Sequence, residues 1–514
     1  MQQRLCGKEQ EYGMRIRPYR VFPKLPPPDL LTPEEAIRYL KDNFSEWRRG
    51  FASAIIRNIG NLPFPVFDKY SSERIWLGNG SLVYIDLHCI LEFATAEYRA
   101  CSLEGVLQEK ASEALLNDAI KLAVAEKGID SLILYKNNIG PSGDGDIYDE
   151  VAYASHHNYS YLAAKQFEVF AILKNFVPAS LILSGNGHVY KHQSGNILYS
   201  LSQRAPHIVT LENYETRYNR PIINTRHESL MDQSTGLNRL HLISRDATRC
   251  EFQTWLVDGV THLILRLAEE VNDKKELPPN LSDPVSELQN INLSLGNNLD
   301  YKVRLGWSLL GIISTGTMDL IEYNYLFLNL AKQLNPLSAE EKLCLQEWER
   351  VLELLKARAF DKLVGELDWV TKRWLIEKKM SKYNFGLNDV RAWKIDMGYH
   401  DISTDPKQSW FALLEEEGRI KHLITKEDIK RAVYTPPETR AKSRGKLVRL
   451  AWENNKVREK IHWINWDAVV VKNNPSWFGR ASSPQHFFGE RKDPFATISP
   501  ELENLYKELG IEAE

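Results

Sequence analysis

The spacing of apolar and polar residues divides the chain into a first half rich in strands and a second half rich in helices. Strict alternation over residues 81–87 predicts a strand, and looser alternation predicts another over residues 4–16. Apolar residues at helical spacing predict helices over residues 103–126 and 252–271, and residues 279–379 have a mostly helical pattern. We therefore expect a sheet built mainly from the first half of the chain.

Glycine and proline residues mark the connections between these elements. Thr32 followed by Pro33 predicts the start of a helix. Residues 161–176 are predicted to be helical, and residues 181–202 to form a hairpin whose first turn lies at residues 185–187. Because the strands are joined by hairpins as well as by helices, the pattern indicates an α+β fold with a largely antiparallel sheet.

The end of the chain has a pattern of its own. After Leu423 come short helices, a break at two consecutive prolines and a tryptophan-containing strand over residues 463–471. This predicts a small C-terminal domain over residues 419–514, which follows a larger catalytic domain over residues 1–418.

Composition narrows the classes of protein that fit. The 514 residues carry 65 Lys and Arg against 68 Asp and Glu, a net charge of −3, so no overall basic excess favours nucleic acid as a partner. The five cysteines are widely spaced with no CxxC pair, which is typical of reduced thiols. No apolar run approaches the ~18 residues of a membrane span. We expect a cytoplasmic protein with no membrane partner.

Several common catalytic motifs are absent from the sequence. There is no GxxxxGK[ST] phosphate loop, no GxGxxG that opens a helix, no HExxH and no GxSxG. A nucleotide would have to bind without these loops.

Carboxylates at strand spacing are the main chemical signal. Glu9 and Glu11 are two residues apart in the first strand, and Tyr84 and Asp86 are two apart in another, so each pair shares one face. Glu92 follows Asp86 by six residues. Acids on one face repel each other unless a cation lies between them, and Mg²⁺ prefers such oxygen ligands. An ordinary solvated strand face remains the alternative.

Basic and imidazole side chains follow later in the chain. Arg204 and Arg226 each lie at the predicted end of a short strand, while Arg239 and His241 are two residues apart. Guanidinium groups beside an acidic metal site suit phosphate oxygens. His156 begins a tandem histidine pair that either binds metal or substrate or is simply solvated. These patterns indicate Mg²⁺-dependent phosphoryl transfer.

These segments, taken in order along nearly the whole chain, resemble the bacterial Pup ligases, also called proteasome accessory factor A. The matching segments are residues 7–13 (GKEQEYG), 79–97 (NGSLVYIDLHCILEFATAE), 135–138 (YKNN), 202–208 (SQRAPHI), 220–226 (RPIINTR), 239–241 (RLH), 367–369 (LDW), 399–402 (YHDI) and 492–495 (KDPF). Such ligases share a fold with the depupylases and are related to carboxylate-amine ligases such as glutamine synthetase.

The resemblance implies a large domain in which a curved, mainly antiparallel sheet forms a cradle packed by helices, plus a small C-terminal domain. It implies ATP and Mg²⁺ as cofactors. The γ-phosphate of ATP would pass to the side-chain carboxylate of the C-terminal Glu of Pup, a small and largely disordered modifier. A lysine of a target protein would then attack the acyl phosphate to form an isopeptide bond.

The resemblance also assigns roles to individual residues. Asp86 would be the catalytic carboxylate. The Mg²⁺ ligands would be Glu9, Glu11, Glu92 and His156 or His241. The nucleotide side would be formed by Tyr84, Arg204, Arg226, Arg440 and Arg444.

Two rival functions remain open at this point. A depupylase or deamidase would act on the same modifier, but the six-residue spacing from Asp86 to Glu92 is the ligase spacing. A non-catalytic scaffold would bind the modifier with a disabled metal site. The chain also departs from the family pattern at Ile90-Leu91, where His-Pro is usual, at His157, where Glu is usual, and by an insertion within residues 137–149.

Overall fold

The computed structural model describes residues 4–17, 44–67, 73–129, 131–141, 150–192, 194–226, 235–270, 277–309, 312–471, 485–488, 495, 497 and 500–508. The predicted helix start at Thr32 and most of the inserted segment lie outside these residues.

Strands and helices alternate irregularly along the described chain. The strands are β1 (Leu5–Arg17), β2 (Val66–Phe67), β3 (Arg74–Leu77), β4 (Leu82–Asp86), β5 (Ile90–Ala94), β6 (Tyr98–Arg99), β7 (Ser131–Tyr135), β8 (Ile139–Pro141), β9 (Glu150–Ala152), β10 (Ser155–Leu162), β11 (His188–Lys191), β12 (Ile197–Ser200), β13 (Thr210–Asn213), β14 (Pro221–Asn224), β15 (Leu237–Arg245), β16 (Lys302–Leu309), β17 (Ile312–Asp319), β18 (Ile461–Ile464), β19 (Ala468–Val471) and β20 (Gln485–Phe487).

The α-helices are α1 (Phe44–Asn61), α2 (Glu104–Lys127), α3 (Gln166–Ala179), α4 (Leu181–Ser184), α5 (Glu251–Glu270), α6 (Pro284–Leu293), α7 (Leu320–Ala331), α8 (Ala339–Lys356), α9 (Asp368–Tyr383), α10 (Val390–Tyr399), α11 (Trp410–Glu416), α12 (Lys426–Tyr434), α13 (Arg440–Glu453), α14 (Asn455–Lys460) and α15 (Pro500–Glu508). None of the described helices is both long and apolar enough to cross a lipid bilayer.

Strand β1 lies at the centre of an eleven-stranded sheet in the described part of the chain. The strand order is β13-β14-β15-β10-β1-β5-β4-β3-β2, and β6 and β7 also pair with β1. Adjacent strands are antiparallel except for the parallel pair β13 and β14. The predicted α+β class with a mainly antiparallel sheet is therefore confirmed.

One face of the central strands is covered by helices. Tyr12, Val83 and Leu91 are buried with Phe51 of α1 and Leu115 of α2 in a single apolar cluster. Burying each such side chain stabilises the fold by roughly 1.5–3 kcal/mol. A second cluster packs α3, α5, α7 and α8 against β10 and β15. The opposite face of the central strands is left open, and the polar alternate residues point towards it.

The C-terminal helices pack directly on the sheet. Leu447 and Val448 of α13 share an apolar cluster with Trp76 and Leu82. Trp76 Nε1 donates a hydrogen bond to the carbonyl oxygen of Ile464 at 3.0 Å. The segment after residue 419 thus has a core in common with the large sheet, and its division into a separate domain stays a prediction.

Two local predictions were wrong, and a third missed one element. Residue 161 lies in β10, and α3 begins only at Gln166, because Tyr159 and Tyr161 alternate into the core as a strand requires. The predicted hairpin over residues 181–202 is shorter, since residues 181–184 form α4 and only β11 and β12 pair. The mostly helical stretch contains the β16–β17 hairpin, where Val303 and Leu305 are buried between exposed neighbours.

Candidate active site

Three adjoining strands place their polar side chains on the open face of the sheet. Glu9 and Glu11 come from β1, Tyr84 and Asp86 from β4, and Glu92 from β5. The pairing register sets Glu11 and Tyr84 directly opposite Glu92. All five line one cleft of about 710 Å³. The structure therefore has Glu9 with Glu11, and Tyr84 with Asp86, on a common face as predicted. Leu87, which follows β4, also lines the cleft, and 55% of its surface is exposed.

The first acidic group consists of Glu11, Asp86 and Glu92, whose nearest carboxylate oxygens lie within 4.8 Å of one another. Burial raises the pKa of Glu92 well above its usual range, and the carboxylates of Glu11, Glu9 and Asp86 raise it further. Burial also raises the pKa of Glu11, against the opposing effects of the Ala154 N–H and Arg204. Three carboxylates this close are costly unless protons or a cation neutralise them.

The second group combines Glu9 with His156 and His241. His241 Nε2 lies 2.7 Å from His156 Nδ1 across the β10–β15 pair, and Asn158 donates to Glu9 Oε1 at 3.2 Å. Burial, then the nearby arginines, lowers the pKa of His156 to about 3. Burial and His156 lower the pKa of His241 well below its usual range. Both imidazoles are therefore neutral near pH 7, which is the form that binds metal.

The residues of these groups fit a divalent cation. Glu92 Oε1 is buried and accepts no hydrogen bond from the described residues. An all-carboxylate set provides the oxygen ligands that Mg²⁺ prefers, and the neighbouring group adds a fourth carboxylate and two neutral imidazoles. The alternative of an ordinary solvated strand face does not fit, since Glu11 and Glu92 are only 9% and 2% exposed.

Arginines outnumber the acids along the same cleft. Among the described lining residues, seven arginines accompany the four carboxylates: Arg48, Arg74, Arg204, Arg217, Arg220, Arg226 and Arg239. Because the lining histidines with a lowered pKa are neutral, the cleft has a local positive excess even though the whole chain is slightly acidic. Such a cleft suits polyanionic ligands.

Arg204 is held in place by a buried polar network. Its Nε donates to the Ile243 carbonyl oxygen at 2.9 Å and its Nη1 to that of Tyr153 at 3.2 Å. The Arg204 backbone N–H donates to Asp246 Oδ1 at 3.0 Å, and Ser202 Oγ donates to the same oxygen at 2.9 Å. Burial raises the pKa of Asp246 to about 6. The network fixes where the Arg204 guanidinium enters the cleft.

A smaller pocket continues from the cleft along the start of β1. It shares Glu9, Ala94, Arg239 and Trp466 with the cleft and is further lined by Gly7, Thr95, Ser160 and Arg440, among others. Trp466, from the turn between β18 and β19, gives this pocket an aromatic wall. An aromatic wall beside a cationic, acid-lined cleft suits a nucleotide, with its base here and its phosphates in the cleft.

Arg440 and Arg444 both bind Glu97. Arg440 Nε donates to Glu97 Oε1 at 2.8 Å, and Arg444 donates to Glu97, to the Gly80 carbonyl oxygen and to that of Trp466. The two guanidinium groups lower the pKa of Glu97 to about 2 in spite of its burial.

The two arginines differ in what they reach. Arg440 lines the smaller pocket, and its place on the nucleotide side stays a prediction. Arg444 is fully buried between the rings of Trp76 and Trp466, at 5.2 and 4.7 Å from their centroids. The direct nucleotide contact predicted for Arg444 does not fit this geometry, because its guanidinium is used to join α13 to the sheet and to Trp466.

The departures from the family pattern lie mostly away from the cleft. His157 alternates to the helix-covered face of β10, where its Nδ1 lies 3.8 Å from Asp258 Oδ1. Leu91 is buried in the apolar cluster on that face. Ile90 alone of the substituted residues lines the cleft. None of these substituted residues belongs to the two groups that could hold a metal ion.

The structure brings most of the predicted site residues together. The cleft is lined by Glu9, Glu11, Tyr84, Asp86, Glu92, His156, Arg204, Arg226 and His241. The sequence did not single out Arg48, Arg220 or Trp466. Arg220 begins the segment that ends at Arg226, and that motif was its only local signal. Arg48 and Trp466 are brought to the cleft by the tertiary fold, and no local sequence motif marks either of them.

A sheet with carboxylates and arginines on one open face, beside a pocket that suits a nucleotide, fits the class of enzymes that transfer phosphoryl groups. The model of the Pup-ligase protein family matches residues 4–470 of this chain. The chain therefore belongs to the Pup-ligase family.

Curated relatives agree with this assignment. A Pup–protein ligase of Renibacterium salmoninarum is 29% identical over 100% of this chain and 99% of its own length. A Pup–protein ligase of Acidimicrobium ferrooxidans is 30% identical over 90% of this chain and 92% of its own length.

Solved structures have the same fold. The ligase PafA in its complex with the prokaryotic ubiquitin-like protein Pup superimposes with a TM-score of 0.76 at 24% identity, covering 100% of this chain and 94% of that chain. The Pup ligase PafA in complex with ADP superimposes with a TM-score of 0.69 at 26% identity, covering 97% of this chain and 98% of that chain.

Proposed function

We propose that this chain is an ATP-dependent ligase that joins the C-terminal Glu of Pup, or of a Pup-like modifier, to lysine side chains of target proteins. The observation that carries the proposal is the cleft in which Glu11, Asp86 and Glu92 lie beside Arg204 and Arg226, in a chain that belongs to the Pup-ligase family. The ADP complex of a relative with the same fold supports nucleotide use.

The nucleotide would lie along β1. Its base would occupy the smaller pocket beside Trp466, and its phosphates would reach past Glu9 into the cleft. The location of Arg226 and Arg239, close enough to His156 and His241 to lower the pKa of both, puts positive charge along this path. The phosphate oxygens would bind guanidinium groups, because the sequence has no phosphate loop to bind them.

A Mg²⁺ ion would be held by Glu9, Glu11, Glu92 and the His156–His241 pair, with Tyr84 beside them. Bound Mg²⁺ would neutralise phosphate charge and polarise the γ-phosphoryl group. The buried Glu92 Oε1 without a hydrogen-bond donor and the raised pKa of both buried glutamates support a cation between these groups.

The first step would be phosphoryl transfer to the modifier. An oxygen of the terminal Glu side chain would form a bond to the γ-phosphorus of ATP, the bond from that phosphorus to the β–γ bridging oxygen would break, and ADP would leave. Arg204, held rigidly by Asp246 and two carbonyl oxygens, would stabilise the charge on the transferring group.

The second step would form the isopeptide bond. The lysine side chain is an ammonium ion at neutral pH and must lose a proton before its amine can attack. Asp86 would accept that proton. The C–N bond would form, the bond from the acyl carbon to the phosphate oxygen would break, and inorganic phosphate would leave. Asp86 is partly exposed at the end of β4, whereas Glu11 and Glu92 are buried, so Asp86 is the acid of this group that a protein-borne lysine can reach.

The assay uses purified protein, Pup ending in Glu, ATP, Mg²⁺ and a lysine-bearing target. A covalent adduct with one ADP per bond supports the ligase. Loss of a preformed adduct would support a depupylase, and binding without ADP a scaffold. Asp86→Asn should abolish conjugation, while Asp118→Asn on the exposed side of α2 should leave it unchanged. Conjugation by Asp86→Asn at the normal rate would refute the catalytic assignment.

The modifier would be largely disordered when free and would gain order on binding, so affinity would depend on a long contact surface.

We keep the cytoplasm as the proposed location, since the cysteines of the described residues are free thiols.

A further inference from the structure

The pairing register orders the cleft along β1. The smaller pocket contains Leu5 to Glu9 of this strand, and the two metal-binding groups lie around Glu9 and Glu11. Beyond Glu11 the cleft is lined by Ala152 and Ala154, with the Ala154 N–H donating to the Glu11 carboxylate. The end of the cleft beyond Glu11 therefore lies across the acidic groups from the smaller pocket. The mechanism above assigns no ligand to that end.

Two arginines enter this far end from opposite sides of β1. Arg48, on α1, donates from Nη1 to the carbonyl oxygen of His88 at 3.3 Å, in the turn that follows β4. Arg220 precedes β14 on the other side of the sheet, and its Nε donates to the Thr216 carbonyl oxygen at 3.1 Å. The positive charge of Arg220 lowers the pKa of both Glu11 and Arg204, so Arg220 lies close to these two residues, beside which the phosphoryl group would be transferred.

The chemistry of the donor requires a choice between two carboxylates. A C-terminal Glu carries a γ-carboxylate on its side chain and an α-carboxylate at the chain end, and both can in principle be phosphorylated. Activation of the α-carboxylate would give a different, main-chain-linked product. A site that holds the α-carboxylate away from the γ-phosphate would decide which product forms.

We propose that Arg220, with Arg48 facing it, binds the α-carboxylate of the donor Glu and so presents the γ-carboxylate to ATP. This rests on the proposed function. A guanidinium offers two parallel N–H donors that match the two oxygens of a carboxylate. The far end has room for the modifier's last residue, since Ala152 and Ala154 are small, and it is rich in positive charge.

The test compares two chemically synthesised forms of Pup that differ only at the terminal Glu, one with a free α-carboxylate and one with an α-carboxamide. Both keep the γ-carboxylate. The rate of ADP formation per unit of modifier is measured with ATP and a lysine-bearing target. The wild-type protein should prefer the free acid by about 10- to 100-fold, the effect of losing one charged hydrogen-bonded pair.

Variants locate the effect. Arg220→Gln should use the acid poorly and the amide no worse than wild type, so that the preference falls to about the level of measurement error. Arg48→Gln should reduce the preference, and Arg220→Lys should keep part of it. Arg391→Gln, an exposed arginine on α10 that does not line the cleft, should keep the full preference. Thermal unfolding and ADP binding establish that each variant is folded.

The outcomes separate the two proposals. If the wild type forms ADP and adduct equally well with both forms, the inference is overturned and the proposed function stands. If Arg220→Gln and Arg48→Gln both keep the wild-type preference, the inference is overturned as well. If the wild type forms neither ADP nor adduct with the free acid, the proposed function fails, and the inference fails with it.

Discussion

Glu11 of β1 and Glu92 of β5 lie directly opposite each other in an antiparallel pair, and both are buried. Like charges at such a position destabilise a sheet. Burial raises the pKa of both carboxyl groups, Glu92 the more strongly, and the charge of Glu11 raises the pKa of Glu92 further. The sheet therefore carries a local cost at its centre that a bound cation would offset.

Glu92→Gln should make the protein less dependent on Mg²⁺ for stability. The wild type should gain free energy of unfolding when Mg²⁺ replaces a chelator, because the ion binds the folded state. The variant should be at least as stable as the wild type in chelator and should gain little from Mg²⁺. Urea unfolding measures both, with the exposed Glu427→Gln as control. An equal gain from Mg²⁺ in Glu92→Gln would contradict the assignment.

Asp246 positions Arg204 through its backbone. Asp246→Ala should remove the acceptor that the Arg204 N–H and Ser202 Oγ share and so shift the guanidinium, lowering kcat by about 10- to 100-fold with a smaller change in the KM for ATP. Asp246→Asn keeps an acceptor and should recover part of the rate. The exposed Asp361→Ala serves as control. Equal losses in the Ala and Asn variants would show that hydrogen bonding to Arg204 is not what matters.

Glu97 should make stability depend on acid pH. Its folded pKa of about 2 lies below the ordinary value of 4.5, so its contribution is fully present above pH 4.5 and is lost as the pH falls towards 2. The shift corresponds to roughly 3 kcal/mol. Glu97→Gln should be less stable than the wild type at pH 7, and the difference should shrink between pH 4.5 and 2. A constant difference across this window would rule out the ion pair as its source.

Gly445 lets α13 approach the sheet closely. A Cβ atom there would lie 2.5 Å from the Gly78 carbonyl oxygen and 3.2 Å from Pro436 Cγ. Gly445→Ala should therefore destabilise the protein by about 1–3 kcal/mol and weaken ADP binding, since α13 also carries Arg440, which lines the smaller pocket. Gly50→Ala, in a helix with no atom within 4 Å, is the matched control and should be neutral or stabilising. Unchanged stability in Gly445→Ala would disprove the close contact.

The sequence was informative wherever the chemistry follows a strand period. Two-residue spacing placed Glu9 with Glu11, and Tyr84 with Asp86, on common faces, and the structure has them there. Their meeting with Glu92 depends on pairing between strands that are far apart along the chain, which local pattern does not encode. The family resemblance supplied that link.

The sequence was uninformative about side chains delivered by distant elements. Arg48 comes from a helix that otherwise packs in the core, and Trp466 comes from a turn near the end of the chain. Neither has a local signal, since an arginine in a helix and a tryptophan in an apolar run are usual in any fold. The burial of Arg444 and its pairing with Glu97 have no local signal either, because tertiary packing decides both.

The central strand β1 is the first of the described strands along the sequence, whereas the aromatic wall of the smaller pocket comes from Trp466. During synthesis on a ribosome, β1 would be made before its partners β5 and β10. It would also be made well before the segment that contains Trp466, which Arg444, paired with Glu97, joins to the sheet. The nascent chain would therefore be unable to use ATP until Trp466 had emerged from the ribosome. Truncation before Trp466 should therefore leave the smaller pocket without its aromatic wall and should abolish ADP binding.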